Sequence, residues 1–275
     1  MESRVALVTG ASSGIGLEAA KELRRNGFTV YAVARRVEPM AQLEHDGVVA
    51  FSMDVTDDAS MVAGVDRVLA EQGRIDVLVS NAGYGSFGAL EDVPLHEARH
   101  QFEVNVFGLA RLVQLVLPTM REQASGRIIN VSSIGGKIYA PLGGWYHATK
   151  FAVEGLSDSL RLELAPFGID VVLIEPGPII TGWNTIARTN LVERSAHGPY
   201  AAQAASVGRT LASADRPGRG SRPDVVGRRI ARAATAAHPR PRYPAGRGAG
   251  TAVRARRMLP DRVFDRVIAR VYGLS

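Results

Sequence analysis

Short apolar runs rich in β-branched residues alternate along the chain with longer stretches whose apolar positions recur at helical spacing. The short runs predict strands, at residues 5–8, 29–34, 48–53, 75–80, 127–131 and 170–174. The longer stretches predict helices, at residues 15–25, 57–72, 95–123 and 145–165.

Strands that are apolar throughout and alternate with helices indicate a parallel sheet covered on both faces. Right-handed crossovers then give a doubly wound, Rossmann-like α/β sheet of about seven strands. We find no internal repeat or linker, and 275 residues can bury one substantial core. We therefore expect residues 1–275 to form a single α/β domain.

The periodicity weakens after Pro176, and residues 177–223 collect glycine, proline, serine and threonine. A long irregular stretch within a compact domain is usually functional or mobile. It follows the last predicted strand, at the sheet edge where doubly wound folds bind ligands. We interpret residues 177–223 as the substrate-binding loop or lid, and residues 249–275 as a C-terminal helical extension.

Composition narrows the possible functions. The chain has no cysteine, which excludes disulfides, zinc fingers and thiol nucleophiles. Its six histidines are scattered, so we expect no metal site. The N-terminus lacks the pattern of a targeting peptide, and Arg111 interrupts the most apolar stretch. We therefore expect a soluble, cytoplasmic protein.

Positive charge is concentrated near the C-terminus, where residues 209–275 carry a local balance of +12 against +6 for the whole chain. Such a balance is compatible with nucleic-acid or membrane binding. Arginine outnumbers lysine 30 to 3 throughout, however, which indicates biased residue usage, and we expect no nucleic-acid partner. Residues 259–272 place an apolar stripe beside three arginines. This stripe is compatible with packing on the rest of the domain, with packing on a partner subunit or, least favoured, with binding to an anionic membrane.

A glycine-rich motif follows the first predicted strand and opens the first predicted helix. It reads Thr9-Gly10-Ala11-Ser12-Ser13-Gly14-Ile15-Gly16. Glycines allow a tight turn and let a pyrophosphate approach the helix N-terminus, where free N–H groups favour anions. A purely structural turn would use glycine as well.

Tyr146 and Lys150 lie four residues apart on a predicted helix and therefore share one face. Acid–base work near neutral pH would require the tyrosine pKa, about 10 in the free side chain, to fall. A nearby ammonium group favours the phenolate. The chain has only three lysines, so the use of one here is informative.

Together these motifs resemble the short-chain dehydrogenase/reductase family over residues 4 to about 182, with residues 135–163 similar to its steroid- and retinol-type members. The other matching positions appear in the family's order: Asp54-Val55, Asn81-Ala82-Gly83, Asn105, Ser133, Pro176-Gly177 and Thr181. The resemblance implies an NAD(P)-dependent oxidoreductase that interconverts a ketone or aldehyde and an alcohol. Family members are commonly dimers or tetramers, so we expect a homodimer or homotetramer.

The resemblance also implies residue roles. Tyr146 would be the general acid or base, and Ser133 would hydrogen-bond the substrate oxygen, with Ser132 as a less favoured alternative by spacing. Lys150 would tune Tyr146 and hold the nicotinamide ribose, while Asn105 would support a water linked to Lys150. The implied cofactor contacts are Gly10, Ser12, Ser13, Gly14, Ile15, Gly16, Asp54, Val55, Asn81, Ala82, Gly83, Tyr146, Lys150, Pro176, Gly177, Ile179 and Thr181.

Two arginines favour NADP(H) over NAD(H). An NAD enzyme usually carries an acid roughly 20 residues beyond the glycines, where it binds the ribose 2′-hydroxyl. That position here holds Arg35 and Arg36, whose guanidinium groups suit a 2′-phosphate. The alternative is that both are ordinary surface arginines and that Glu38 serves NAD(H).

The segments after Ser133 and after Gly177 are expected to line the substrate site. Their large residues are mostly apolar or aromatic: Ile138, Tyr139, Leu142, Trp145, Ile180 and Trp183. We therefore predict a hydrophobic carbonyl or alcohol substrate held by Ser133, Ile138, Leu142, Tyr146 and Trp183. Trp145 and Trp183 are equally compatible with positions in the core or at a subunit interface. The competing function is a catalytically silent NADP(H)-binding regulator, which the presence of all four catalytic residues disfavours.

Overall fold

The computed structural model describes residues 3–216 and 218–274. Its strands are β1 Val5–Thr9, β2 Thr29–Ala34, β3 Val49–Ser52, β4 Val77–Ser80, β5 Gly126–Val131, β6 Ile169–Pro176 and β7 Arg242–Ala245. They form one parallel sheet in the order β3-β2-β1-β4-β5-β6-β7. The predicted doubly wound α/β domain is confirmed, and the six predicted strands correspond to β1 through β6.

Helices cover both faces of this sheet. They are α1 Gly14–Arg25, α2 Ala41–Glu44, α3 Asp58–Gln72, α4 Leu95–Phe102, α5 Gly108–Glu122, α6 Gly144–Leu164, α7 Gly182–Ser195, α8 Ala201–Ser213, α9 Asp224–Thr235, α10 Ala249–Met258 and α11 Asp261–Val271. Local residues set where a helix begins and ends, as α3 shows. Asp57 accepts hydrogen bonds from two free N–H groups at its start, and Gly73 ends it with a φ of 68°.

Successive strand residues alternate between two apolar layers. Ala6 and Val8 of β1 face the layer that contains α1 and α9, whereas Val5 and Leu7 face the layer that contains α3, α5 and α6. All four side chains are fully buried, and burying a leucine or valine contributes about 1.5–3 kcal/mol. Burial on both faces explains why the strands read as continuous apolar runs.

Two parts of the fold differ from the sequence prediction. Residues 177–223 are not mainly irregular, because they contain α7 and α8. These helices bury small residues such as Ala187 and Ala204, which give little hydrophobic contrast along the sequence. The predicted helix at 95–123 is interrupted by a π-helical turn at Glu103–Phe107, where the backbone takes up one extra residue.

The combined helical run Leu95–Glu122 is long and apolar enough to cross a membrane, judged by length and composition. Its buried side chains, among them Leu112, Val116 and Met120, belong to the core layer beneath the sheet. We therefore assign this run to the core of the domain.

Two helical glycines provide a matched pair for testing the packing of α9 on α1. A Cβ at Gly227 would lie 2.9 Å from the backbone of Glu18, whereas a Cβ at Gly155 on α6 would meet nothing within 4 Å. We predict that Gly227→Ala lowers the free energy of unfolding by about 1–3 kcal/mol through overpacking. Gly155→Ala should raise it by about 0.5–1 kcal/mol through helix propensity. Urea unfolding of both variants measures these changes, and equal effects would contradict the assigned packing.

Candidate active site

The carboxyl ends of β1, β4, β5 and β6 open into a cavity of about 820 Å³. This is the sheet edge at which parallel α/β folds bind ligands. The cavity wall contains nearly every cofactor residue expected from the sequence, namely Gly10, Ser12, Ser13, Gly14, Ile15, Arg35, Arg36, Asp54, Val55, Asn81, Ala82, Gly83, Tyr146, Lys150, Pro176, Gly177, Ile179 and Thr181. Gly16 lies outside this lining.

The glycine loop is shaped by backbone conformation and close approach. Gly10 and Gly14 have φ values of 65° and 57°, a region that other residues rarely adopt. A Cβ at Gly16 would collide with the carbonyl oxygen of Gly10 and would lie 2.5 Å from Asn81 Nδ2. Gly16 therefore allows α1 to pack closely beneath the loop rather than contacting a ligand itself.

Asn81 and Thr9 fasten the loop to the end of β4. Asn81 Nδ2 donates to the carbonyl oxygens of Thr9 and Gly10 at 3.0 and 3.2 Å. Thr9 Oγ1 in turn accepts from the backbone N–H groups of Asn81 and Ala82, both at 3.0 Å. Asn81 therefore positions the glycine loop in addition to lining the cavity.

Ser133 and Tyr146 meet in the middle of the cavity wall. Ser133 follows β5, and its hydroxyl accepts from Gly135 N at 2.9 Å and donates to Pro176 O at 3.4 Å. Ser132, the alternative to Ser133, is buried, and its Oγ has no hydrogen-bond partner among the described residues. Burial raises the pKa of Tyr146 to about 12, and a hydrogen bond with Ser133 opposes the rise.

Lys150 spans from α6 to β5, where its Nζ donates to the Val131 carbonyl at 3.0 Å. Burial lowers the pKa of Lys150 to about 8, and Glu154 opposes that fall. In the chain by itself the Tyr146 pKa is therefore raised, opposite to the lowering that acid–base work near neutral pH requires, and burial is the largest cause. The phenol is protonated at neutral pH, and Lys150 is the group that titrates near pH 8.

Asn105 lies in the π-helical turn, behind the cavity lining. Its Oδ1 accepts from Tyr84 N at 3.0 Å, and its Nδ2 donates to Tyr84 O at 2.9 Å and to Thr149 Oγ1 at 3.0 Å. It thus ties the loop after β4 to the helix that carries Tyr146 and Lys150. Its role in supporting a water stays a prediction.

The family model for short chain dehydrogenases matches residues 4–191. The chain belongs to the short-chain dehydrogenase/reductase family. A probable short-chain type dehydrogenase/reductase of Helicobacter pylori is 42% identical over 68% of this chain and 69% of that protein. A 3-ketodihydrosphingosine reductase of Bacteroides thetaiotaomicron is 44% identical over 66% of each chain. An uncharacterized oxidoreductase of Escherichia coli is 33% identical over 95% of this chain and 93% of that protein.

Solved structures agree with this assignment. A short-chain dehydrogenase from Streptomyces avermitilis has a TM-score of 0.80 at 36% identity and covers 99% of this chain and 96% of its own. A metagenomic short-chain oxidoreductase in complex with NADP has a TM-score of 0.68 at 29% identity, over 87% of this chain and 95% of its own. As a member of the family, the protein is an NAD(P)-dependent oxidoreductase.

The site of this short-chain dehydrogenase fits a dinucleotide. The free N–H groups in the first turn of α1 present positive partial charge to the cavity. No acidic residue in that turn neutralises this charge. Arg35 and Arg36 lie beyond the end of β2, exposed at the cavity wall, and neither forms an ion pair within the described part of the chain. Glu38, on the following turn, does not line the cavity.

The substrate residues expected from the sequence divide into two groups. Ile138, Tyr139 and Trp183 line the cavity, and the Trp183 ring lies 5.0 Å from that of Tyr146 between centroids. Leu142 is not among the lining residues; its side chain packs on the apolar cluster that contains Phe87 and Tyr146, and its backbone has a φ of 60°. Trp145 and Ile180 are also outside the lining, and Trp145 contacts Phe102 instead.

Several lining residues are not among those expected from the sequence. They include Phe87, His147, Arg194, Leu211 and Tyr272. His147 Nε2 accepts from Ala140 N and its Nδ1 donates to Gly135 O, both at 2.9 Å, so the neutral ring holds the segment after Ser133. His147 was visible beside Tyr146 in the motif, whereas nothing in the sequence associates Tyr272 with this site.

The lowered pKa of Lys150 predicts a pH effect on stability. Because the folded pKa is about 8 and that of free lysine is about 10.4, the unfolded chain binds more protons in between. Stability should therefore rise as pH rises through this window, by about 2 kcal/mol between pH 8 and 10. Lys150→Met is the control, because it removes the titrating ammonium group and keeps every other titratable group of the wild type. Urea unfolding across this range should show the difference, and parallel pH curves for the two proteins would contradict the prediction.

Proposed function

We propose that this short-chain dehydrogenase interconverts ketones or aldehydes and alcohols on hydrophobic small molecules, with NADP(H) as the cofactor. The observation that carries the proposal is the pairing of Tyr146 with Ser133 in the wall of a largely apolar cavity. Bound NADP(H) supplies or takes up a hydride at the substrate carbon. The protein residues are responsible for the proton and for substrate orientation.

In the reducing direction, the Tyr146 hydroxyl donates its proton to the carbonyl oxygen of the substrate. A pKa of about 12 keeps that proton on the phenol at neutral pH. Ser133 Oγ donates a hydrogen bond to the same oxygen as negative charge develops on it. Lys150, held on the β5 carbonyl, is mostly protonated at pH 7, and its ammonium group would hold the nicotinamide ribose of the bound cofactor. Oxidation of an alcohol runs the same steps in reverse.

The proposed preference for NADP(H) rests on the cavity wall beyond β2. Two exposed guanidinium groups lie there without a carboxylate partner among the described residues, and Glu38 is not among the lining residues. A 2′-phosphate would give these groups the charge-assisted hydrogen bonds that a 2′-hydroxyl cannot. Among similar structures, one is a complex with NADP and another, from Burkholderia phymatum, a complex with NAD.

The proposed hydrophobic substrate rests on the residues around Tyr146. Phe87 and Trp183 pack on its ring, and Ile138, Ile186 and Leu211 add aliphatic surface. Relatives include proteins named 3-ketodihydrosphingosine reductase and 17-beta-hydroxysteroid dehydrogenase type 1, names that refer to a keto and a hydroxyl group. These likenesses support an apolar ketone or alcohol.

We also propose that residues 177–223 act as the substrate lid, now with α7 and α8 as its helical parts. Trp183, Ile186, Thr210 and Leu211 of these helices line the cavity. The homodimeric or homotetrameric state and the cytoplasmic location stay predictions.

Tyr146→Phe tests the proposed acid–base role. Removal of the hydroxyl should lower kcat for carbonyl reduction by about 10²–10⁴-fold, because general acid catalysis contributes that much. NADPH binding, followed by fluorescence titration, should change little. Tyr200→Phe is the matched control, since Tyr200 lies outside the cavity lining. Turnover by Tyr146→Phe at the wild-type rate across a panel of ketones and aldehydes would disprove the role, and firm NADPH binding without any wild-type turnover would favour a regulator.

Arg35 and Arg36 test the cofactor preference. Replacing both with serine should lower kcat/KM for NADPH at least tenfold and leave kcat/KM for NADH nearly unchanged, since one charge-assisted contact is worth about 1.5–3 kcal/mol. Arg229→Ser, an exposed arginine on α9 outside the cavity lining, is the control. A wild-type enzyme that prefers NADH tenfold would overturn the proposal.

A further inference from the structure

The C-terminal residues reach the site from the far end of the chain. Tyr272 immediately follows α11 and lines the same cavity wall as Tyr146, although the two are separated by 126 positions in the sequence. Burial raises the pKa of Tyr272 to about 12, and the Tyr272 phenol in turn contributes to the raised pKa of Tyr146. The two phenols therefore lie within electrostatic reach of each other.

Helix α11 is held firmly against the cavity wall. Tyr139, a lining residue, donates a hydrogen bond to Asp265 Oδ1 at 2.7 Å and stacks edge-on against buried Phe264 at 5.4 Å between centroids. The Arg256 guanidinium lies over both rings, at 5.6 Å from Tyr139 and 5.3 Å from Phe264. These contacts fix the end of the helix that carries Tyr272.

The residue itself is anchored through its backbone. Ser206 Oγ on α8 donates to the Tyr272 carbonyl oxygen at 2.6 Å, and the Tyr272 N–H donates to Ile268 O at 3.0 Å. These hydrogen bonds fix the backbone of Tyr272, and the packing of its ring on the apolar cluster of the cavity wall restricts the side chain, so less conformational freedom is lost on binding.

The phenol oxygen of Tyr272 has no hydrogen-bond partner among the residues that the structure describes. Its surroundings are the apolar cluster of Phe87, Tyr146, Leu211 and their neighbours, against which its ring packs. A fixed hydroxyl in a largely apolar wall gains most from a ligand atom that can hydrogen-bond to it, because an unmatched polar group in such a site costs affinity.

We propose that Tyr272 is a substrate-specificity residue, which donates a hydrogen bond to a second oxygen of the substrate while Tyr146 and Ser133 hold the reacting carbonyl. The preferred substrates are therefore hydrophobic carbonyl compounds with a second oxygen acceptor elsewhere on the molecule. This inference rests on the proposed carbonyl reduction and names its substrate class. It also gives α11 a function, as the element that completes the substrate wall.

A series of matched ketones tests the inference. It consists of keto esters in which two, three or four bonds separate the ketone from the ester carbonyl, each compared with a simple ketone of equal chain length. Wild type, Tyr272→Phe and the control Tyr200→Phe are assayed for kcat and KM with NADPH. Binding of the same compounds to the NADP⁺-loaded protein is measured by calorimetry, so that a readout exists without turnover.

Tyr272→Phe should lower kcat/KM about tenfold for at least one keto ester, mainly through KM, and less than twofold for its matched ketone. Such a tenfold change corresponds to about 1.4 kcal/mol, as expected for one hydrogen bond. Calorimetry should show the same selective loss, which would sustain the inference even if the wild type reduced no compound of the series. Equal losses for esters and ketones, or no selective loss with any ester by either readout, would overturn it.

Discussion

The approach of α1 to the edge of the sheet is the contact on which the site depends. Because Gly16 has no Cβ, the start of α1 can lie directly against the Gly10 carbonyl. The Asn81 amide holds this contact by donating hydrogen bonds to the carbonyl oxygens of Thr9 and Gly10. This junction joins β1, β4 and α1 at one point, so the anion-binding end of the helix faces the cavity. On its other side α1 packs against α9, where Gly227 again permits backbone contact. Close backbone contacts at Gly16 and Gly227 thus connect the sheet to α1 and α1 to α9.

The other constraint is the burial of charge behind the catalytic helix. Glu154, one helical turn after Lys150, pairs with Lys137 at 2.8 Å and with Arg242 at 3.1 Å. Arg242 also lies 3.3 Å from buried Glu175, whose pKa burial raises to about 7. These pairs connect α6 and β6 to the edge strand β7. Burying these charges lowers the free energy of unfolding unless every partner of the cluster is present. The cluster therefore specifies how β7 attaches to the sheet.

The features of the fold and the site that depend on residues near one another in the chain could be predicted from the sequence. Apolar strand runs, the glycine loop and the tyrosine–lysine spacing are short-range patterns, and they were sufficient for the fold and the family. The edge strand β7 was missed because it has four residues, including Arg242 and Pro244, and its stability comes from the distant carboxylates just described. The π-helical turn at Asn105 depends on hydrogen bonds to Tyr84 and Thr149. The direction of the Tyr146 pKa follows from burial, which spacing cannot reveal.

The placement of Tyr272 has a consequence for how such a protein can diversify. The part of the chain that matches the family model ends at residue 191, whereas Tyr272 belongs to a segment beyond it that still forms cavity wall. In the proposed role of Tyr272, one part of substrate recognition is therefore encoded outside the stretch that carries Ser133, Tyr146 and Lys150. With that role, exchange of the terminal helix alone would alter which compounds are accepted, while the glycine loop, Tyr146 and Lys150 stay unchanged.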